Sequence, residues 1–243
     1  MSVAASCSHQ YGDGLPALDG LDLELRPGVT GLVGVNGAGK STLLGVLAGT
    51  LRPRLGDASI EGVSLYGPGR RRALARVGYM PQTFVPPPGA TVLEIVSYLG
   101  WLRGMSSRAA RSAALDVVAR VGLDDRGDAA ARSLSGGMLR RVAFAQSIVT
   151  SPDVLLLDEP TTGLDPEQRV AIREIVHADG TRPVTVVSSH LMEDIAALAD
   201  HLVVLEQGRV VFDDSLASFQ QRSGATDEER LLGLLAEVRS VPA

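Results

Sequence analysis

From Val29 to Leu47 the chain runs through an apolar segment, the octapeptide Gly34-Val35-Asn36-Gly37-Ala38-Gly39-Lys40-Ser41, and then a stretch of helical spacing. The pattern G-x-x-x-x-G-K-[ST] demands a strand that delivers the loop and a helix that leaves it. Its glycines let the backbone wrap phosphate oxygens with N–H groups inward, and the helix adds its positive N-terminal end. Lys40 is then placed to reach the β- and γ-phosphates, and Ser41 to ligate Mg²⁺. Gly34, Asn36, Gly37, Ala38, Gly39, Lys40, Ser41 and Thr42 are therefore candidate nucleotide contacts. Of the 23 Lys and Arg residues, only Lys40 is lysine. Most surface roles of a cation accept arginine, whereas a site needing a compact ammonium does not.

At 243 residues the chain suits one sizeable domain, or a domain with a subdomain. Aromatics are 4% of the residues, so the core rests on Leu, Val, Ile and Ala. A net charge of −5 argues against bulk electrostatic binding of nucleic acid, and no such partner is expected. Cys7 is the one cysteine, which excludes an internal disulfide. The opening MSVAASCSHQYGDG lacks the basic start and apolar core of a signal peptide. No apolar run reaches the roughly 18 residues of a membrane span.

Strands are expected at Leu21–Leu25, Val29–Val35, Ser59–Val63 and Val77–Met80, and a helix at Lys40–Leu47. Pro86-Pro87-Pro88-Gly89 reads as a stiff exposed loop. Helical pattern then dominates from Thr91 to about Thr150, with Leu115, Val118 and Val121 on one face of Ser107–Val121. Val154–Leu157, Val184–Val187 and Leu202–Leu205 read as strands buried on both faces. Thr226 and Glu229 fit a capping box, followed by Leu231, Leu232, Leu235 and Val238 in a helix that packs on its own domain or makes a regulatory or dimer contact.

The strand Val154–Leu157 runs into Asp158-Glu159, and buried strands rarely end in paired carboxylates, whose desolvation is costly. Beside a phosphate loop, Asp158 is suited to Mg²⁺ and Glu159 to the attacking water. Leu134-Ser135-Gly136-Gly137-Met138 opens another helical run and makes a second anion-binding helix N-terminus. One nucleotide needs one phosphate loop, so the second suggests the nucleotide of another subunit. Arg140-Arg141 reads as a solvated or helix-capping pair, and His9, His177 and His201 as structural.

In these motifs the chain resembles the nucleotide-binding domain of ATP-binding cassette (ABC) transporters over about residues 3–215. Gly34–Ser41 is similar to the Walker A motif, Leu157-Asp158-Glu159 to the end of Walker B, and Leu134–Met138 to the family signature. Gln82 resembles the Q-loop glutamine, Gly163-Leu164-Asp165 the D-loop, Ser189-His190 the switch histidine, and Tyr11 the aromatic that stacks on adenine. Met138, where the common signature has Gln, resembles a subset of bacterial exporters.

The resemblance implies a P-loop α/β core with an antiparallel β subdomain and an inserted α-helical subdomain at about 83–150. The cassette would span 1–215, with a C-terminal helical tail at 216–243. It implies Mg²⁺-dependent ATP hydrolysis, with Glu159, His190 and Gln82 catalytic and Ser41, Gln82 and Asp158 on the metal. Tyr11 and Asp165 join the nucleotide contacts, and Ser135, Gly136 and Gly137 serve the partner's ATP in a head-to-tail dimer. A separate membrane permease would carry the cargo, which places the chain in the cytoplasm, peripheral on the inner face of the membrane. Phe84, Val85 and Glu94 are expected to meet that permease. An importer cassette and a soluble ABC ATPase remain alternatives. Only 94 residues lie between Lys40 and Ser135, without heptads, which disfavours a chromosome-type ATPase.

Overall fold

Apolar runs without polar alternation need cover on both faces. The computed structural model describes residues 1–178 and 184–240 and supplies that cover. The chain starts with β1 (Val3–Gln10), β2 (Pro16–Leu25) and β3 (Gly28–Val33), and the glycine-rich loop leads into α1 (Lys40–Leu47). There follow β4 (Leu55–Ile60), β5 (Val63–Ser64), α2 (Arg70–Leu74) and β6 (Val77–Met80). Three helices come next: α3 (Val92–Leu102), α4 (Ser107–Arg120) and α5 (Gly136–Ile148). Then come β7 (Val154–Asp158), α6 (Pro166–Ala178), β8 (Val184–Ser188) and α7 (Met192–Ala196). The last elements are β9 (His201–Glu206), β10 (Arg209–Ser215), α8 (Leu216–Gln220) and α9 (Asp227–Ser240).

Among the described residues the strands form a four-stranded antiparallel sheet, β2-β1-β4-β5, and a six-stranded sheet, β10-β9-β3-β8-β7-β6. The six-stranded sheet is parallel except at the β10 edge. Its central strands alternate between two cores, as the two-residue period of a strand requires. Val154 and Leu156 of β7, and Val203 and Leu205 of β9, pack with α1 and the antiparallel sheet. Leu155, Leu157, Leu202 and Val204 pack with the helices α3 to α9. The fold is thus α/β, with an antiparallel β layer on one side and helices inserted between β6 and β7.

Some expectations change. Ser59–Val63 is not one strand: Glu61 and Gly62 adopt φ of 51° and 74°, which turns the chain between β4 and β5. Val118 and Val121 are buried as expected, but Leu115 is exposed, and α4 buries Ala110, Ala114 and Val117 beside them. The Thr226–Glu229 capping box forms, but in α9 Leu232 faces solvent and Leu234 joins Leu235 in the core. Residues 241–243 of the expected tail lie outside the described residues. Phe84 is half-buried against the helical core and Val85 is the exposed member of that loop. Glu94 is engaged locally: Thr91 N–H donates to its Oε2 at 2.8 Å, and Glu94 N–H donates to Thr91 Oγ1 at 3.2 Å. Those bonds hold its carboxyl below the usual range and make it the capping partner that starts α3.

Candidate nucleotide site

In a parallel sheet, ligands collect at the carboxyl ends of the strands. Here β3 ends in the glycine-rich loop, β6 leads to Gln82, β7 to Asp158-Glu159 and β8 to Ser189-His190. The order β3-β8-β7-β6 brings these four loops side by side, although 34 and 190 are far apart in sequence.

Two glycines shape the loop. A Cβ at Gly34 would run into the Leu205 carbonyl, and Gly39 at φ 107° leaves no room for one beside the Ala17 carbonyl. Lys40 then opens α1 and is buried; its Nζ donates to the Gly34 carbonyl at 2.6 Å and to the Val35 carbonyl at 3.3 Å. Burial pushes its pKa below the ordinary lysine value, against the pull of Glu159 and Asp158. A cleft of about 500 Å³ opens over the loop, lined by Tyr11, Ala17, Asn36 to Thr42, Gln82 and Glu159. Tyr11 is exposed, with its hydroxyl 3.4 Å from Thr42 Oγ1.

Asp158 and Glu159 are both buried. The Ser188 hydroxyl donates to Asp158 Oδ1 at 2.7 Å and accepts from Glu159 N–H at 3.0 Å, so one serine holds both acids. Glu159 takes a φ of 55°, an uncommon backbone for a non-glycine residue, as β7 turns away at its end. Its Oε2 accepts from Thr162 Oγ1 at 2.8 Å and lies 2.7 Å from His190 Nδ1. Ser41, Gln82 and Asp158 present a hydroxyl, an amide and a carboxylate. This all-oxygen set suits Mg²⁺, which is usually held by few protein ligands plus phosphate and water. Among the described residues no cluster of three acidic, histidine or cysteine side chains forms a metal cage of its own.

Ser135, Gly136 and Gly137 are not among the residues lining the cleft. Ser135 caps α5, accepting from Met138 N–H at 3.3 Å, and both Ser135 and Gly136 are exposed. Asp165 likewise caps α6, accepting from Gln168 N–H at 2.9 Å, and stands apart from the cleft lining. Ser188, Thr162 and Ala17 carry no motif signal of their own and come to the site through the fold. Arg140 is half-buried and reaches the carbonyls of Gln82 and Thr162. Arg141 does cap a helix, donating to the Val121 and Gly122 carbonyls that end α4.

The family model described as "ABC transporter" matches residues 18–162. A Nod factor export ATP-binding protein I of Burkholderia orbicola is 40% identical over 218 residues, covering 87% of this chain and 71% of that protein. The daunorubicin/doxorubicin resistance ATP-binding protein DrrA of Streptomyces peucetius is 37% identical over 217 residues, covering 88% and 65%. The chain thus spans about two thirds of the length of such relatives. A solved ATP-binding subunit of an ABC transporter superposes with a TM-score of 0.86 at 24% identity, covering 97% of this chain and all of that one, which shows the shared fold. Cleft, loop order and sequence likeness converge: the chain belongs to the ABC transporter family.

Proposed function

We propose that this chain binds Mg·ATP in the cleft and hydrolyses it as one of two paired cassettes, powering export through a separate membrane permease. The observation that carries this reading is the separation of two phosphate-type helix N-termini. That of α1 lines the cleft, whereas Ser135-Gly136-Gly137 at α5 lies outside it, with Ser135 and Gly136 exposed. A nucleotide held by α1 of one chain leaves the α5 end free for the nucleotide of another. The dimer is then bridged by ligand and opens when the γ-phosphate is lost.

Lys40 and the loop N–H groups hold the phosphates, and Tyr11 offers a face for the base. Ser41, Gln82 and Asp158 would hold Mg²⁺, which when bound neutralises developing phosphate charge. Glu159, steadied by Thr162, orients or deprotonates the attacking water. His190, half-exposed and already against Glu159, serves the γ-phosphate side; Asp165 reaches the shared interface from the start of α6.

The names of the two relatives, one for Nod factor export and one for drug resistance, favour export over import. No helix among the described residues is long and apolar enough to cross a membrane, and we assign the membrane path to a partner permease. We place the chain in the cytoplasm, on the inner face of the membrane. The cassette is assigned to 1–215, with its helical part at about 83–150 and 216–243 as a tail. The permease is assigned to the groove beside Pro87 and α3, where Tyr98 and Trp101 stand exposed with ring centroids 5.7 Å apart.

Glu159→Gln tests the reading. The variant is expected to bind Mg·ATP, lose turnover by about 10²–10⁴-fold, and elute as a dimer only with ATP. Hydrolysis near the wild-type rate would sink the assignment of Glu159.

A further inference from the structure

Arg140 lies on α5, five residues beyond Ser135, and is half-buried. Its Nη1 donates to the Gln82 carbonyl at 2.5 Å and its Nε to the Thr162 carbonyl at 3.2 Å. Those carbonyls belong to two loops that flank the cleft from different strands. Thr162 in turn donates its hydroxyl to Glu159 Oε2 at 2.8 Å. One guanidinium therefore joins the helix carrying the signature to the backbone of Gln82 and, through Thr162, to the Glu159 carboxylate.

We propose that Arg140 is a positioning residue for hydrolysis, a strut that holds the Gln82 loop and the Glu159–Thr162 turn in register with α5. The turn needs such support, because Glu159 sits at a backbone angle that persists only where its surroundings over-determine it. The planar fork of arginine presents diverging donors to two carbonyls at once, which a lysine ammonium on a single flexible stem does not reproduce. Burial lowers the Arg140 pKa below the ordinary arginine value, against the opposing pull of Glu159 and Asp158. Arg140 touches no reacting group in this arrangement; it acts on the residues that do.

The inference rests on the reading of Glu159 as the residue that handles the attacking water. Its test compares the wild type with Arg140→Ala, Arg140→Lys, Glu159→Gln and the double variant Arg140→Ala/Glu159→Gln. The measurements are kcat, KM, the ATP Kd and single-turnover hydrolysis. Arg140→Gln, which keeps one donor, runs alongside so that a folding failure of the alanine variant leaves the comparison intact.

Arg140→Ala is expected to lower kcat by about tenfold while the ATP Kd stays within about twofold. Lysine should recover little of that loss. In the Glu159→Gln background the alanine substitution should add less than its full factor, because the part of its effect that passes through Thr162 and Glu159 is already lost. A merely structural residue would add its full factor there, and that result overturns the proposal. An unchanged kcat in Arg140→Ala, beside a full defect in Glu159→Gln, overturns the strut alone. Near-wild-type turnover by Glu159→Gln removes the underlying reading and the strut with it.

Discussion

Replacing Lys40 by alanine removes the only lysine of the chain and a buried ammonium at the start of α1. That ammonium makes one short bond, 2.6 Å to the Gly34 carbonyl, and one long bond, 3.3 Å to the Val35 carbonyl. A bound phosphate must compete with both. Two charge-assisted bonds to phosphate oxygens are worth about 1.5–3 kcal/mol each, and the carbonyl bonds given up offset part of that. The difference, about 2–4 kcal/mol, corresponds to roughly a 30- to 1000-fold rise in the ATP Kd. Calorimetry on Lys40→Ala measures it, and Lys40→Arg should not restore affinity, since a planar fork does not fit the space of a point charge.

The pH dependence follows from the same burial. Burial holds the Lys40 pKa below the usual lysine value, and a bound polyphosphate would raise it again, so binding takes up a proton where the two states differ. ATP affinity is complete below the depressed pKa and falls as pH rises through it. That alkaline fall should vanish in Lys40→Ala. An amine-reactive reagent should modify Lys40 in the free protein and spare it with Mg·ATP. Equal modification in both conditions, or an ATP Kd unchanged by the alanine substitution, would refute the reasoning.

The shared-site reading predicts complementation: Lys40→Ala and Ser135→Arg chains are each inactive alone. Their mixture should recover hydrolysis, because a heterodimer pairs one intact loop with the other chain's intact signature. No recovery on mixing, with dimers shown to form, would mean that Ser135 serves its own chain. For the permease, Val85→Ala with Trp101→Ala is expected to spare ATP binding by the isolated chain and to reduce co-purification with the membrane partner. Both residues are exposed, whereas Phe84 packs on the core and Glu94 caps α3, so substitutions there would disturb the fold as well. Undiminished co-purification would place the partner elsewhere.

What the sequence by itself determined was everything encoded in contiguous residues. The glycines of 34–39, the helix from Lys40 to Leu47, the acids after Val154–Leu157 and the capping box at Thr226–Glu229 are local patterns of backbone freedom, period and spacing. The Thr91–Glu94 capping box was equally legible as T-x-x-E, and the structure shows the acid closing that cap at the rim of the groove beside α3. Which face of α4 is buried depends on its neighbours, and so Leu115, at a suitable period, ends in solvent. The tertiary structure alone decided what crosses between strands. Ser188 holds Asp158 and Glu159, Thr162 steadies Glu159, and Arg140 joins Gln82 to Thr162, because the strand order β3-β8-β7-β6 differs from the chain order. The partner of a serine or an arginine is set by which backbone groups the packed sheet leaves within about 3 Å, and no local periodicity carries that distance.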